Sequence, residues 1–258
     1  MIVVNVPLHI DENPFFFDAR WPVLYVDNHL LAVYKPSGLL VQGDRTGDAS
    51  LLDLARQWIK IRYHKPGKVF LAMVHRLDRP VAGVVLFART SKAAGRLSRQ
   101  FRERRVEKRY LAVVKGNVKN HSGRLVNHIE RRGHHSRVVS KPNKKSQDAR
   151  LRYRCLGHED GKSLLQVTLE TGRRHQIRIQ LAHMGHPILG DLRYGAKVPL
   201  PGKHIALLAH HLAVEHPTLN ERVTLVCRLP QCWPWPQIDD DEDDRPPWDW
   251  RLMGRPFG

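Results

Sequence analysis

Apolar positions along this chain fall into short runs broken by glycine, proline and charged clusters, a pattern that predicts more strands than helices. Residues 23–26 and 30–34 flank the turn pair Asp27-Asn28 and read as a hairpin. Residues 69–74 and 83–88 read as two buried strands, with the polar stretch His75-Arg76-Leu77-Asp78 between them. Residues 110–116, 164–169, 207–214 and 223–229 read as further strands. Helices are fewer. Ser50 caps one, with Asp53 in capping-box position and Leu51, Leu54, Ala55, Trp58 and Ile59 on its apolar face. Ser91 caps a second over 92–105, with Ala93, Ala94, Leu97 and Phe101 inward and most of its arginines outward. Thr171-Gly172 opens a third, running to about Met184 and stopped by Gly185 and Pro187. Residues 121–154, polar and basic, predict short strands and an exposed loop. Strands and helices mix without a βαβ rhythm, so the fold class is α+β.

Charge adds a partner. The 258 residues carry +18, but the last twenty hold seven acids against three arginines. That end is −4, which leaves +22 on the other 238 residues. So basic a body attracts polyanions through its long-range field and through counterion release, and nucleic acid is the leading candidate. There is no apolar run of membrane-spanning length and no signal-peptide pattern at the start. Three cysteines are a poor disulfide framework, and cytoplasmic residence is the expectation. Residues 1–22 read as a lead-in, 23–230 as one domain and 231–258 as an acidic, Pro/Trp-rich tail. Metal is not expected: His183 and His186 straddle a helix exit, and Cys227 and Cys232 lack a second pair.

Buried between two strands, a carboxylate and an arginine are costly to desolvate unless they pair or do chemistry. Taken alone, Arg76-Leu77-Asp78 is more often a structural ion pair. Three other blocks change that: Lys35-Pro36-Ser37-Gly38, Lys108-Arg109-Tyr110-Leu111-Ala112, and the long run from Glu170 through Arg173-Arg174-His175-Gln176-Ile177-Arg178 to Gly190-Asp191. In this order and spacing, over residues 23–230, they resemble the RluA family of RNA pseudouridine synthases. The family usually carries Thr-Ser before the motif's glycine, where this chain has Val81-Ala82, so two local hydroxyls are absent.

The resemblance implies a mixed, mainly antiparallel sheet with a central active-site cleft. It implies that Asp78 is the essential aspartate, that Tyr110 stacks on the target base, and that Arg178 pairs with the catalytic carboxylate. It also implies substrate contacts from Arg76, which fills the space left by the flipped base, and from His75, Leu77, Lys35 and the pocket-lining His210. Chemistry agrees with these residue types. Turning uridine into pseudouridine breaks a nitrogen–carbon bond and rejoins the uracil through carbon 5, with no net redox change, so no cofactor is expected. What the reaction needs is one oriented carboxylate, a nearby cation and an aromatic face that offsets unstacking. The expected partner is structured RNA, tRNA slightly ahead of rRNA, bound by a monomer without a separate N-terminal RNA-binding domain. The alternative is a non-catalytic RNA-binding or RNA-folding protein on the same fold. Gly190-Asp191-Leu192-Arg193-Tyr194-Gly195 reads as a structural turn.

Overall fold

The computed structural model describes residues 2–3, 23–44, 50–133, 135–201, 204–227, 229 and 233–235. Most of the lead-in and the whole acidic run from Asp239 onward lie outside these, as do His134 and Cys232. The chain divides into two compact units, residues 1–106 with 209–258, and residues 107–208. Among the described residues no helix is long and apolar enough to cross a membrane.

The first unit contains strands β1 (Ile2–Val3), β2 (Val23–Val26) and β3 (Leu30–Lys35), then helix α1 (Leu51–Arg62). Strands β4 (Ala72–Met73) and β5 (Ala82–Ala88) and helix α2 (Ser91–Arg102) follow. The predicted hairpin forms because the Asp27 carboxylate accepts the main-chain N–H groups of His29 and Leu30, both at 2.7 Å. Strand β3 is buried at all six positions and pairs antiparallel with β5, from Leu30 opposite Ala88 to Lys35 opposite Gly83. Ser50 caps α1 as expected, accepting from the Asp53 N–H and donating to its carboxylate. The cap of α2 is Thr90 rather than Ser91, and the helix ends at Arg102, because Arg104 turns into the left-handed region (φ 59°).

The strand expected over 69–74 shrinks to β4. The carbonyl of Leu71 is taken by the Arg56 guanidinium, and beyond Met73 the chain leaves the ladder for the loop that carries Asp78. Further along, β11 (Leu207–Glu215) pairs antiparallel with β12 (Arg222–Val226), and β1 adds to β12 in parallel.

In the second unit, β6 (Glu107–Lys115), β7 (Ser122–Arg132), β8 (His135–Val139), β9 (Ser146–Glu159) and β10 (Lys162–Leu169) stand side by side in the order β6-β10-β9-β7-β8, all antiparallel. The short strands expected over 121–154 are instead long, eleven residues in β7 and fourteen in β9. Their period is two: Ala149, Leu151, Tyr153 and Cys155 are buried, while Arg150, Arg152 and Arg154 alternate with them.

Helix α3 (Gln176–His183) lies on the buried face of that sheet. There the amide of Gln180 donates to the carbonyls of Leu125 and Ala149 and to Asn127. The helix starts four residues later than Thr171-Gly172 predicts. The side chain of Gln176 holds the preceding loop, accepting from the Thr171 hydroxyl and the Arg173 N–H and donating to the Arg150 carbonyl. The fold is α+β, as the strand and helix pattern predicts, with the mixed, mostly antiparallel sheet that the resemblance implies.

Candidate active site

Asp78 sits in the loop between β4 and β5, partly buried, with exposed Arg76 and Arg79 on either side. The loop is clasped by the turn that follows β3. The N–H of Gly38 donates to the Arg79 carbonyl at 2.8 Å, and the Arg79 guanidinium returns a bond to the Gly38 carbonyl at 2.9 Å. The Ser37 hydroxyl donates to the Pro80 carbonyl at 2.7 Å. Within the loop, the Val81 N–H closes a turn onto the Asp78 carbonyl at 3.0 Å. Val81 and Ala82 are buried. The turn is thus closed by main-chain groups and by Ser37 from outside, without hydroxyls at positions 81 and 82.

Lys35 has a different place from the substrate contact expected of it. Its side chain is fully buried, and its ammonium donates to the carbonyls of Pro36 (2.8 Å), Leu39 (2.8 Å) and Arg79 (3.1 Å). Burial pushes it down to about 7, against the charge of Asp78, which favours the protonated form. With its three donors spent on carbonyls, Lys35 ties the two loops together, and the charge of Asp78 acts on its ammonium.

His75 and Leu77 also turn inward. The His75 Nε2 accepts the main-chain N–H of Leu86 at 2.9 Å, and its ring stacks on Phe101 at 5.0 Å. Leu77 is 7 % exposed and belongs to the core. These two side chains anchor the loop at its start, while Arg76 points to solvent beside Asp78. His210 is half-buried on β11, one residue beyond Ala209, whose main chain passes close to Gly83.

In the second unit Tyr110 lies on β6 opposite Val167, on the sheet face that also carries Tyr153. Arg178 lies in α3, and its Nε and Nη2 form a bidentate ion pair with the Asp191 carboxylate, at 2.7 and 2.8 Å. Both partners are almost wholly buried. Tyr194 covers the guanidinium, with the Arg178 Cζ 5.0 Å from its ring centroid. Asp191 and Tyr194 are functional candidates that the sequence reading passed over. Their signal was a charge and an aromatic in a Gly-bounded turn, which ordinarily faces solvent.

A clasped aspartate loop in the first unit and, in the second, an aromatic side chain on a strand and a buried, ion-paired arginine are the residue types expected of an RNA-modifying isomerase. Residues 29–183 match the family model described as RNA pseudouridylate synthase, and the chain belongs to the RluA family of these enzymes. It is 32% identical over 219 residues to the ribosomal large subunit pseudouridine synthase C of Buchnera aphidicola subsp. Schizaphis graminum, covering 80% of this chain and 67% of that protein. It is 32% identical over 234 residues to the tRNA pseudouridine synthase C of Yersinia pestis, covering 82% of this chain and 87% of the relative. The solved structure of human RNA Pseudouridylate Synthase Domain Containing 1 superposes with a TM-score of 0.66 at 26% identity, covering 82% and 84%. The protein is an RNA pseudouridine synthase, and RNA is its substrate. The non-catalytic alternative is not favoured.

Proposed function

We propose that Asp78 is the acting carboxylate of this isomerase, that Tyr110 stacks on the extruded uracil, and that Arg178 supplies the cation of the site. In this reading the glycosidic N1–C1′ bond breaks, the uracil rotates, and a C5–C1′ bond forms. The proton leaving carbon 5 is balanced by one gained at N1. Arg76, exposed beside Asp78, enters the space the base vacates. The observation that carries the reading is the clasp around Asp78. A loop with a carboxylate at its centre is fixed by Gly38, Ser37 and Arg79, and the buried Lys35 ammonium holds its Arg79 carbonyl. Such fixing holds the main chain that carries the carboxylate in one place while the substrate moves, a condition for electrostatic catalysis.

The RNA we propose is structured, with tRNA ahead of ribosomal RNA, captured by a monomer in the cytoplasm. Among the outward arginines of β9 and β7, Arg154, opposite Ser122, suits phosphate contact, while Arg124 and Arg152 stand opposite each other and share the Glu170 carboxylate. Tritium release from carbon-5-labelled uridine in cellular RNA tests the chemistry. Wild type should release it and Asp78→Asn should not, while RNA binding persists. Release that survives Asp78→Asn would sink the assignment of Asp78. Mapping pseudouridine in tRNA and rRNA from cells with and without the gene tests the choice of RNA.

A further inference from the structure

The surroundings of Arg178 hold more than an ion pair. Asp191 engages one edge of the guanidinium through Nε and Nη2, so the edge bearing Nη1 is turned away from it. Tyr194 lies against the guanidinium plane. The Tyr194 hydroxyl is itself held, 2.6 Å from the Nδ1 of His175, with the two rings edge to face at 5.7 Å. A main-chain hydrogen bond from Ser136 on β8 reaches the same hydroxyl. Burial pushes that hydroxyl upward and the Arg178 charge opposes it, so the phenol stays protonated and can donate to His175. His175, in turn, sits at the start of α3 in the left-handed region (φ 57°, ψ 21°) without capping the helix through its side chain. A buried non-glycine residue held there is uncommon and costs free energy, and such strain gathers at functional sites.

We infer that Asp191, Tyr194 and His175 form a positioning clamp that fixes the Arg178 guanidinium in one plane and one rotation. The inference rests on the reading of Arg178 as the cation of the site and adds to it the groups that aim it. Asp191 alone would leave the fork free to tilt about its hydrogen-bonded edge. The Tyr194 ring removes that tilt. His175 and Ser136 remove the rotation of Tyr194. A purely structural pair joining α3 to the turn at 191–195 would require Asp191 but neither a ring over the guanidinium nor a strained histidine behind it. None of the three touches the reacting atoms, so they are positioning residues. Their effect belongs on the chemical step and not on RNA capture.

The test uses the full-length chain, with single-turnover pseudouridine formation and RNA binding measured on the same cellular tRNA pool. Tyr194→Leu should slow the single turnover by about tenfold or more, since small misplacements of a catalytic group are that damaging, and leave the RNA Kd within about twofold. Tyr194→Phe, which keeps the ring and loses the hydroxyl, should slow it about threefold. In an Arg178→Lys background, Tyr194→Leu should add nothing, because the group it aims is gone.

A wild-type rate in Arg178→Lys itself would overturn the reading of Arg178. A lowered rate in Arg178→Lys together with a wild-type rate in Tyr194→Leu would overturn the clamp alone, as would full additivity in the double variant. Thermal melts check that Tyr194→Leu folds. If it does not, Tyr194→Phe decides, a reduced rate supporting the clamp and an unchanged one overturning it.

Discussion

Replacing Gly83 by alanine should damage both the stability and the activity of this enzyme, and the structure separates the two reasons. Gly83 opens the ladder of β5 opposite Lys35, with φ +127°, a conformation that L residues rarely adopt. A β-carbon added there would also lie 2.3 Å from the Ala209 carbonyl oxygen and 2.6 Å from its nitrogen, both main-chain atoms of β11 that no rotamer can move. The backbone strain is worth roughly 1–3 kcal/mol, and overpacking against fixed atoms roughly 1–3 kcal/mol more.

The sum, about 2–6 kcal/mol, lowers Tm by roughly 5–20 °C in a chain of this size. Gly38 supplies the control. It too has a left-handed φ, +90°, but nothing lies within 4 Å of its missing β-carbon, so Gly38→Ala carries the strain without the collision. Melts followed by circular dichroism should therefore place Gly83→Ala well below Gly38→Ala, and Gly38→Ala below wild type. Equal Tm values for the two variants, or a Gly83→Ala melt within about 2 °C of wild type, would refute the close approach of β5 and β11 as the controlling contact. Tritium release measured below both melts should still be reduced in Gly83→Ala, because Lys35 lies across the ladder from it and supports the Asp78 loop.

Further expectations concern the same loop and the basic strands. Ser37→Ala removes one side-chain bond of the clasp and should destabilise by about 1 kcal/mol while lowering the single-turnover rate more than RNA affinity. An unchanged rate would show that the main-chain bonds suffice. Lys35 is held near 7, below its ordinary 10.5, so between those values the unfolded chain binds that proton and the folded chain sheds it. Stability from this group therefore rises with pH across that window, at up to about 1.4 kcal/mol per unit. Urea unfolding at pH 7 and 9 should show a shallower rise for Lys35→Met; parallel behaviour would rule Lys35 out as the titrating group. Arg154→Ala should weaken RNA binding and reduce the slope of log Kd against log salt by about 1, and a slope equal to that of wild type would place the phosphate contacts elsewhere.

The parts of this molecule that could be read from the sequence are those where one physical signal dominates. Continuous apolar runs gave β3 and β5, and Ser50 with Asp53 gave the start of α1. The loop of Asp78 was legible as a charge between buried strands. Lys35 was not, because lysine beside Pro-Ser-Gly reads as an exposed turn, and only three converging carbonyls make burial of its ammonium tolerable. The long strand β9 was hidden by arginines on every second residue, which read as a basic loop until their alternation with Ala149, Leu151 and Tyr153 is set against the sheet. Asp191 was hidden by the glycines around it. Its partner lies thirteen residues away, a distance at which periodicity carries no information.

The clasp around Asp78 bears on how much this enzyme can vary without losing its chemistry. The carbonyls of Asp78, Arg79 and Pro80 and the N–H groups of Gly38 and Val81 belong to the main chain and are present whatever side chains stand there. The shape of the loop is therefore insulated from its own sequence at positions 80 to 82, and Val81-Ala82 can replace two hydroxyl-bearing residues without reopening the turn. What positions 81 and 82 must still satisfy is packing, since both side chains are buried. The residues on which the clasp itself depends from outside are Lys35, Ser37 and Gly38, more than forty positions earlier in the chain.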